Sequence, residues 1–542
     1  MAKLRLQISR MGKEIRTIKV NLILGLIGFF SFSITAQTVI TDSVSRTPVK
    51  QKVFLEHADI LSFNKAYNPD AQILTGNVCF RHDSSYMYCD SANFYEKDNS
   101  FEAFNHVRME QGDTLFVYGD YLNYNGNTRI AKLRNHVRLE NLTVTLFTDS
   151  LNYNRNTNIA YYLEGGLIVD EENELSSYYG QYSPDSKQAI FKDSVLLLNT
   201  NFTLNSDTLL YRTDIHLATL LGQSIIQSDS STIYSTRGWY DTDKRESSLL
   251  DHSLVISGND FLTGDSIHYN EKLGLCKVYG AMQVKDTLKK IAIEGNIGYY
   301  DQLNSYAFAT DSARILEFSQ GDTLFAHADS VIMLKDSLTN RLKAYHGVRF
   351  YRTDLQGTCD SLQFLSADST LYMYDDPILW NENYQLQGDS INIVMNDSTI
   401  DHAIIKGNAF AVQHLDSSYY NQLKGGELKA FFKGQTLERI EITGNAESIF
   451  FPIQGNGSMV GMNQTKSGFL TIWVNNNKLE RLKIWPSPEG TLTPIPDLTP
   501  QMKFLKDFVW LDYIRPLSKN DIYTVRKRKV PKKANHNNKF VY

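Results

Sequence analysis

The stretch Asp149-Ser150-Leu151-Asn152-Tyr153, followed by Asn154-Arg155-Asn156, decides how this chain folds. Leu151 and Tyr153 fall on one face of an extended segment and Ser150 and Asn152 on the other, because strand side chains alternate. The polar triplet after Tyr153 reads as a turn. The unit returns as Asp265-Ser266-Ile267-His268-Tyr269, and the same parity holds for Leu122/Tyr124, Leu209/Tyr211, Ile267/Tyr269 and Leu362/Phe364. Working outward, aromatic anchors fall at Phe63, Phe94, Tyr124, Tyr153, Tyr182, Tyr211, Tyr240, Tyr269 and Tyr299, at steps of 31, 30, 29, 29, 29, 29, 29 and 30. Looser copies continue at Met333, Phe364 and Ile393. A fixed period of about 29 residues means stacked supersecondary units rather than a compact enzyme domain.

Each unit carries a second strand, such as Ile130-Ala131-Lys132-Leu133-Arg134 running into Asn135-His136-Val137-Arg138-Leu139. Ala131, Leu133, Val137 and Leu139 face inward there. Asn125-Gly126-Asn127 supplies an Asn-Gly hairpin signal between the two strands. Gly76-Asn77-Val78, His346-Gly347-Val348 and Gly407-Asn408-Ala409 occupy equivalent places, and Gly or Asn inside a strand marks a bulge or sharp bend. Two bent antiparallel strands per repeat predict an all-β, elongated antiparallel β-jellyroll, folded like a taco. A parallel β-helix with one coil per repeat is the alternative.

The ends differ from this ladder. Lys3, Arg5, Arg10, Lys13, Arg16 and Lys19 precede an apolar run from Leu22 to Phe32 and a small-residue site at Ala36, the pattern of a cleaved signal peptide over residues 1–36. Residues 37–56 form a lead-in, residues 57–485 the repetitive jellyroll, and residues 486–542 a Pro-rich segment, a short helix over Met502–Tyr513 and a basic tail. The formal charge of -5 becomes -10 without residues 1–36, which hold six cations and Glu14. Residues 503–542 carry eleven Lys/Arg against three Asp, which leaves the ladder near -18 and excludes nucleic acid as its partner.

Catalytic and metal signatures are missing. Gly264-Asp265-Ser266 and Gly388-Asp389-Ser390 resemble a lipase nucleophile block, but a nucleophile is needed once and this pair recurs with the structural period. Asp and Ser bond their own backbone in turns, which is the reading given to these pairs. The histidines are scattered outside metal-ligand spacing, so neither a metal nor a cofactor is expected. Cys79 and Cys89 flank a turn at His82-Asp83-Ser84-Ser85 and either face each other as a disulfide or remain free thiols; Cys276 and Cys359 stand alone. The remaining candidate site is the aromatic ladder itself, lined by Leu122, Tyr124, Leu151, Tyr153, Leu209, Tyr211, Ile267 and Tyr269. It is either a filled core or an apolar groove for lipid chains.

Gly76-Asn77-Val78 followed by Cys89-Asp90-Ser91-Ala92-Asn93-Phe94-Tyr95, with Ala58-Asp59-Ile60-Leu61-Ser62-Phe63 and Ala328-Asp329-Ser330-Val331, resembles the OstA-like (organic solvent tolerance) family. That family is related to periplasmic lipopolysaccharide-transport proteins, and the resemblance covers roughly residues 50–450. It implies a β-jellyroll whose groove holds lipopolysaccharide acyl chains, a periplasmic location, and stacking of strand edges with other transport proteins of the envelope. The expected function is therefore a non-enzymatic lipid-transport scaffold in outer-membrane biogenesis. A structural or adhesive envelope protein with a closed core is the alternative. A carbohydrate-active solenoid would need a cluster of charged residues breaking adjacent repeats, and none is visible.

Overall fold

The computed structural model describes residues 52–528 apart from residues 67, 319–320, 336–338, 397–398, 417, 434–435, 455–456 and 476–477. The expected signal peptide and the end of the basic tail lie outside the described residues. Strands follow one another from Phe54–His57 to Glu489–Pro494, so the ladder passes both bounds set for it from sequence. Successive strands pair antiparallel, as in Gln72–His82 with Ser85–Tyr95, Ile130–Asn141 with Val144–Asn154, and Gly461–Asn475 with Lys478–Trp485. The fold is an all-β antiparallel jellyroll ladder, and this hairpin pairing rules out the parallel β-helix.

Alternate long strands bulge, mostly where the sequence places Gly, Asn or His and in Gln188–Asn199 at Asp193-Ser194. In Ser100–Gln111 the register shifts between Phe104 and Val107, where Asn105 and His106 have φ of 61° and 46°. The same shift falls at Asn135-His136, Gly76-Asn77, His346-Gly347 and Gly407-Asn408, all with positive φ. Two consecutive left-handed residues make a bulge that turns the strand, so every strand contributes to two walls that meet along a bent spine.

The recurring Asp sits on this spine, not in the hairpin turns to which sequence assigned it. His106 Nδ1 stands 2.7 Å from Asp90 and His136 Nδ1 2.7 Å from Asp120. His346 pairs with Asp360 at 3.1 Å and His252 with Asp265 at 3.3 Å. Where the bulge holds Asn, its amide donates instead, from Asn77 to Asp59 at 2.9 Å and from Asn408 to Asp389 at 3.3 Å. Glycine is required beside some of these carboxylates: a Cβ on Gly407 would stand 2.1 Å from Asp389 Oδ2. The Asp of the repeated unit therefore ties down the bulge of the neighbouring strand.

Inside one wall, the aromatic anchors alternate with small residues along a single row. Tyr124 pairs with Ala131, Ala131 with Tyr153, Tyr153 with Ala160, and the alternation continues through Tyr182, Ala189, Tyr211, Ala218 and Tyr240. Adjacent strands lie about 4.8 Å apart, too close for tyrosine rings on every strand to spread over the same row. A small residue between them leaves each ring the width it needs. Ser247 and Cys276 take the small-residue place later in the row, which accounts for the isolated Cys276.

Four sequence expectations need correction. The last tyrosine anchor is Tyr300, not Tyr299: Tyr300 pairs with Cys276 and is buried, because the hairpin after Asp286 has a four-residue loop where Asn141 and Val144 flank only two. The Asn-Gly site is a four-residue turn closed by Arg129 at φ 57°, with Asn125 paired to Ile130. Gly126 serves close approach there, since a Cβ would lie 2.7 Å from Val53 Cγ2. Cys89 pairs with Val78 and Cys79 with Tyr88, because the hairpin centres between Asp83 and Ser84; one thiol points in and the other out, and both are free. The helix expected over Met502–Tyr513 does not form.

That segment is instead a strap, with short 3-10 turns at Asp512–Ile514 and Asp521–Tyr523, laid over the outer face of one wall. Glutamines on three strands hold it. Gln422 accepts from the Leu505 N–H at 2.8 Å and donates to the Lys503 carbonyl at 2.8 Å. Gln385 does the same for the Leu511 N–H and the Val509 carbonyl at 2.8 and 2.9 Å. Gln356 accepts from Arg515 Nε at 2.7 Å. Beneath the strap, Leu505 packs with Phe410, Val412, Ile449, Phe451 and Met462, and Leu511 and Ile514 with Ile378 and Trp380. Leu505 and Leu511 bury themselves against strands, which favours an extended backbone, while Met502, Phe504, Val509 and Tyr513 stay exposed.

Candidate functional site

The two walls enclose one apolar core, which runs from Val53 to Leu470. The period-2 parity of the sequence places all eight groove candidates inside it. Leu122, Tyr124, Leu151, Tyr153, Leu209, Tyr211 and Ile267 are fully buried, and Tyr269 is 3% exposed. Their alternates, such as Asn152, face out. Aromatic rings fill the early part of this interior, with Phe80 stacked on Phe101 at 4.0 Å between centroids and Phe101 in turn 5.4 Å from Tyr124. The interior is therefore packed by side chains in this state.

Opposite the spine, the free margins of the two walls meet in a seam. It is joined by the tyrosine hydroxyls, which sequence reasoning read only as core rings. The rings lie in one wall, and five of the hydroxyls reach the far margin 40 to 42 residues upstream. Tyr124 OH stands 2.6 Å from His82 Nδ1. Tyr153 OH donates to Gln111 Oε1 at 3.0 Å, and Tyr182 OH to Asn141 Oδ1 at 3.0 Å. Tyr211 OH donates to Asp170 Oδ2 at 2.6 Å, and Tyr300 OH to Asp260 Oδ2 at 2.8 Å. Tyr240 donates to Glu271 at 3.0 Å, which also accepts from Ser230 on the other margin at 3.4 Å. Tyr269 reaches Gln302, whose amide donates to Ser257 across the seam.

Burial raises the pKa of these phenols, to about 12 at Tyr182 and Tyr269. They are consequently neutral donors at any physiological pH. Glu271 is the opposite case. Burial works against its ionisation, but hydrogen bonds from Arg245, Ser228 and Tyr240 outweigh that and hold its carboxyl below the ordinary 4.5. Lys335 closes the seam further on, 2.7 Å from Asp260 and 2.9 Å from Asp286. Arg155 spans the margins early in the seam, donating to Tyr124 OH at 2.7 Å and to the His82 carbonyl at 3.2 Å.

No cluster of His, Cys, Asp or Glu among the described residues has metal-binding geometry. Ser266 lies beside the Asp265–His252 pair on the outside of the spine, where the same Asp–His pairing recurs at other repeats. What this arrangement offers is a long apolar interior whose one side is closed by side-chain hydrogen bonds.

Comparison with known proteins bears on the same part of the chain. The family model described as OstA-like protein matches residues 50–207, the span that holds the first tyrosine-tied repeats. No curated protein matches the chain. Residues 50–207 are thus similar to the OstA-like family, and the ladder that begins there continues by the same hairpin pairing to Pro494.

Proposed function

We propose that this chain is a non-enzymatic scaffold that carries the acyl chains of lipopolysaccharide, or of a lipid built like it, between its two walls in the periplasm. The observation that carries the reading is the seam. Hairpin turns end at each margin, so the backbone ladder runs along each wall and side chains join the margins. Such bonds contribute about 0.5–1.5 kcal/mol each when neutral, so parting a few of them is within reach of the apolar area a lipid chain would bury. The OstA-like match supports the lipid class, because the expectation attached to that family is envelope lipid transport.

Edge pairing with other transport proteins belongs to the same reading. Strand Ile60–Ser62 pairs with Gln72–His82, and Ile60, Leu61 and nearby Phe63 are more than half exposed. Unpaired strand edges are templates for another chain's strand. The Asp-Ser units support a non-catalytic role, since their carboxylates are engaged at the spine in repeat after repeat. A structural ladder with a permanently closed core remains the competing reading, and its favouring observation is the packed interior.

A photo-crosslinking residue separates the two. Placed at Tyr153, it should capture lipopolysaccharide in cells, while the same residue at Asn152 should not. Equal labelling at both positions, or none at Tyr153, would favour the closed structural ladder.

A further inference from the structure

The half-buried cations described along the seam differ in their partners. Arg245 pairs with Glu271 at 2.7 Å, Lys335 with Asp260 and Asp286, and Arg129 with Asp83 at 2.9 Å. Arg155 is half-buried at the same margin, yet its partners are the Tyr124 hydroxyl, the His82 carbonyl and, at 3.4 Å, both Gln111 Oε1 and the His82 ring Nδ1. None of them carries a negative charge, and among the described residues no carboxylate lies within ion-pair distance of Arg155. A guanidinium held at a low-dielectric rim without a counter-charge favours an anion that can accept from it.

Two further observations point to the same place. The hairpin that gives Arg155 the His82 carbonyl also carries Ser85, whose buried hydroxyl has no hydrogen-bond partner, and Asp83, whose charge Arg129 offsets at 2.9 Å. Farther along, the seam carries Asp170 against Tyr211 and both Asp260 and Asp286 around Lys335, so an anion moving that way meets like charge. The OstA-like match, residues 50–207, includes Arg155 and stops before Tyr211.

We propose that Arg155 is the headgroup site of the ladder: it holds the anionic group of a lipid whose acyl chain enters the seam between Tyr124 and Tyr182. The inference rests on the lipid-carrier reading and adds where the lipid enters and which charge it bears. In the entering state the guanidinium exchanges its neutral partners for the anion, and the released Tyr124 and His82 leave a gap in the seam for the chain.

Two fluorescent probes with the same acyl chain test this, cis-parinaric acid and its uncharged methyl ester, titrated into the full chain. The acid should bind the native chain more tightly than the ester. Arg155→Gln should weaken the acid about 10-fold, the worth of one charge-assisted hydrogen bond, and leave the ester unchanged. Arg155→Lys, which keeps the charge, should recover most of the loss and guards against a simple folding defect. Equal weakening of acid and ester by Arg155→Gln, or no weakening of either, overturns the headgroup assignment while leaving the groove in place. Failure of both probes to bind the native chain overturns the carrier reading and this assignment with it.

Discussion

Between Tyr124 and Tyr182 the seam is tied by His82, Gln111, Asn141 and Arg155, whereas between Tyr211 and Tyr300 it is tied by Asp170, Glu271, Asp260 and Asp286, with Gln302 the one neutral tie described there, at Tyr269. The rings, their spacing and their small-residue neighbours are the same in both regions. What differs is the chemistry at the far margin. A phenol bonded to a neutral amide contributes roughly 0.5–1.5 kcal/mol, and one bonded to a carboxylate roughly 1.5–3 kcal/mol. One architecture therefore yields a part that opens at modest cost and a part that resists opening, without any change of fold.

The sharpest way to break this comparison is Glu271→Ala. Its carboxylate is almost fully buried, and its loss strands both Arg245 and Tyr240. Removing one partner of such a pair costs about 3–5 kcal/mol, and the low end applies here because Arg245 is about a quarter exposed and can rehydrate. Gln111→Ala in the first region should cost only about 1 kcal/mol. Urea midpoints of the two variants measure the contrast, and equal shifts would erase it. Acid should act on the second region through Glu271. The folded pKa of Glu271 lies below the ordinary 4.5, so its contribution is present above that value and is lost as pH falls through the folded one. Hydrogen exchange at falling pH should show the strands around Tyr240 loosening before those around Tyr153.

A smaller effect separates Tyr211→Phe from Tyr182→Phe. Both keep the ring and its packing, and both remove a seam hydroxyl. The first leaves Asp170 with the Asn173 N–H and takes the acceptor from the Asn173 side-chain amide, and should destabilise by about 2 kcal/mol; the second leaves Asn141 its bond to the Thr114 carbonyl, at about 1 kcal/mol. Thermal melts of the pair would test the ordering. Ser266→Ala should change least, within about 0.5 kcal/mol, as an outward residue of the spine away from the seam. A loss of lipid binding from Ser266→Ala with normal abundance would contradict the non-enzymatic reading.

Much of the fold was open to inspection in the chain, because it depends on local rules repeated many times. Parity put Leu151 and Tyr153 inside, and Gly407-Asn408 marked a bend, since Gly and Asn take left-handed conformations readily. The candidate groove residues were found the same way. The partners of their hydroxyls were not, for Tyr153 and Gln111 are 42 residues apart and sit on opposite walls. A 12-residue shift beyond the 29-residue period is one strand's length, which only the closing of the walls converts into contact. The signal was present as polar residues at the ends of strands, His82, Gln111 and Asn141, but solvent exposure explains such residues equally well until the margins are brought together.

The sequence by itself determined an all-β ladder, its period, its bends and which side chains face inward, because each follows from alternation and backbone sterics within a few residues. Tertiary structure decided the rest. It moved the last tyrosine anchor to Tyr300 through a longer hairpin loop, and it turned Cys79 away from Cys89 by a half-residue shift of a turn centre. It also drew the apolar residues of Met502–Tyr513 into an extended strap over Trp380 and Phe410. In each case the deciding energy comes from a surface that residues far away in the chain supply, Gln385 and Gln422 for the strap and the opposite margin for the tyrosines. Local periodicity cannot carry that information, because the same pattern of polar and apolar residues fits both a helix and a strap, or an exposed margin and a joined one.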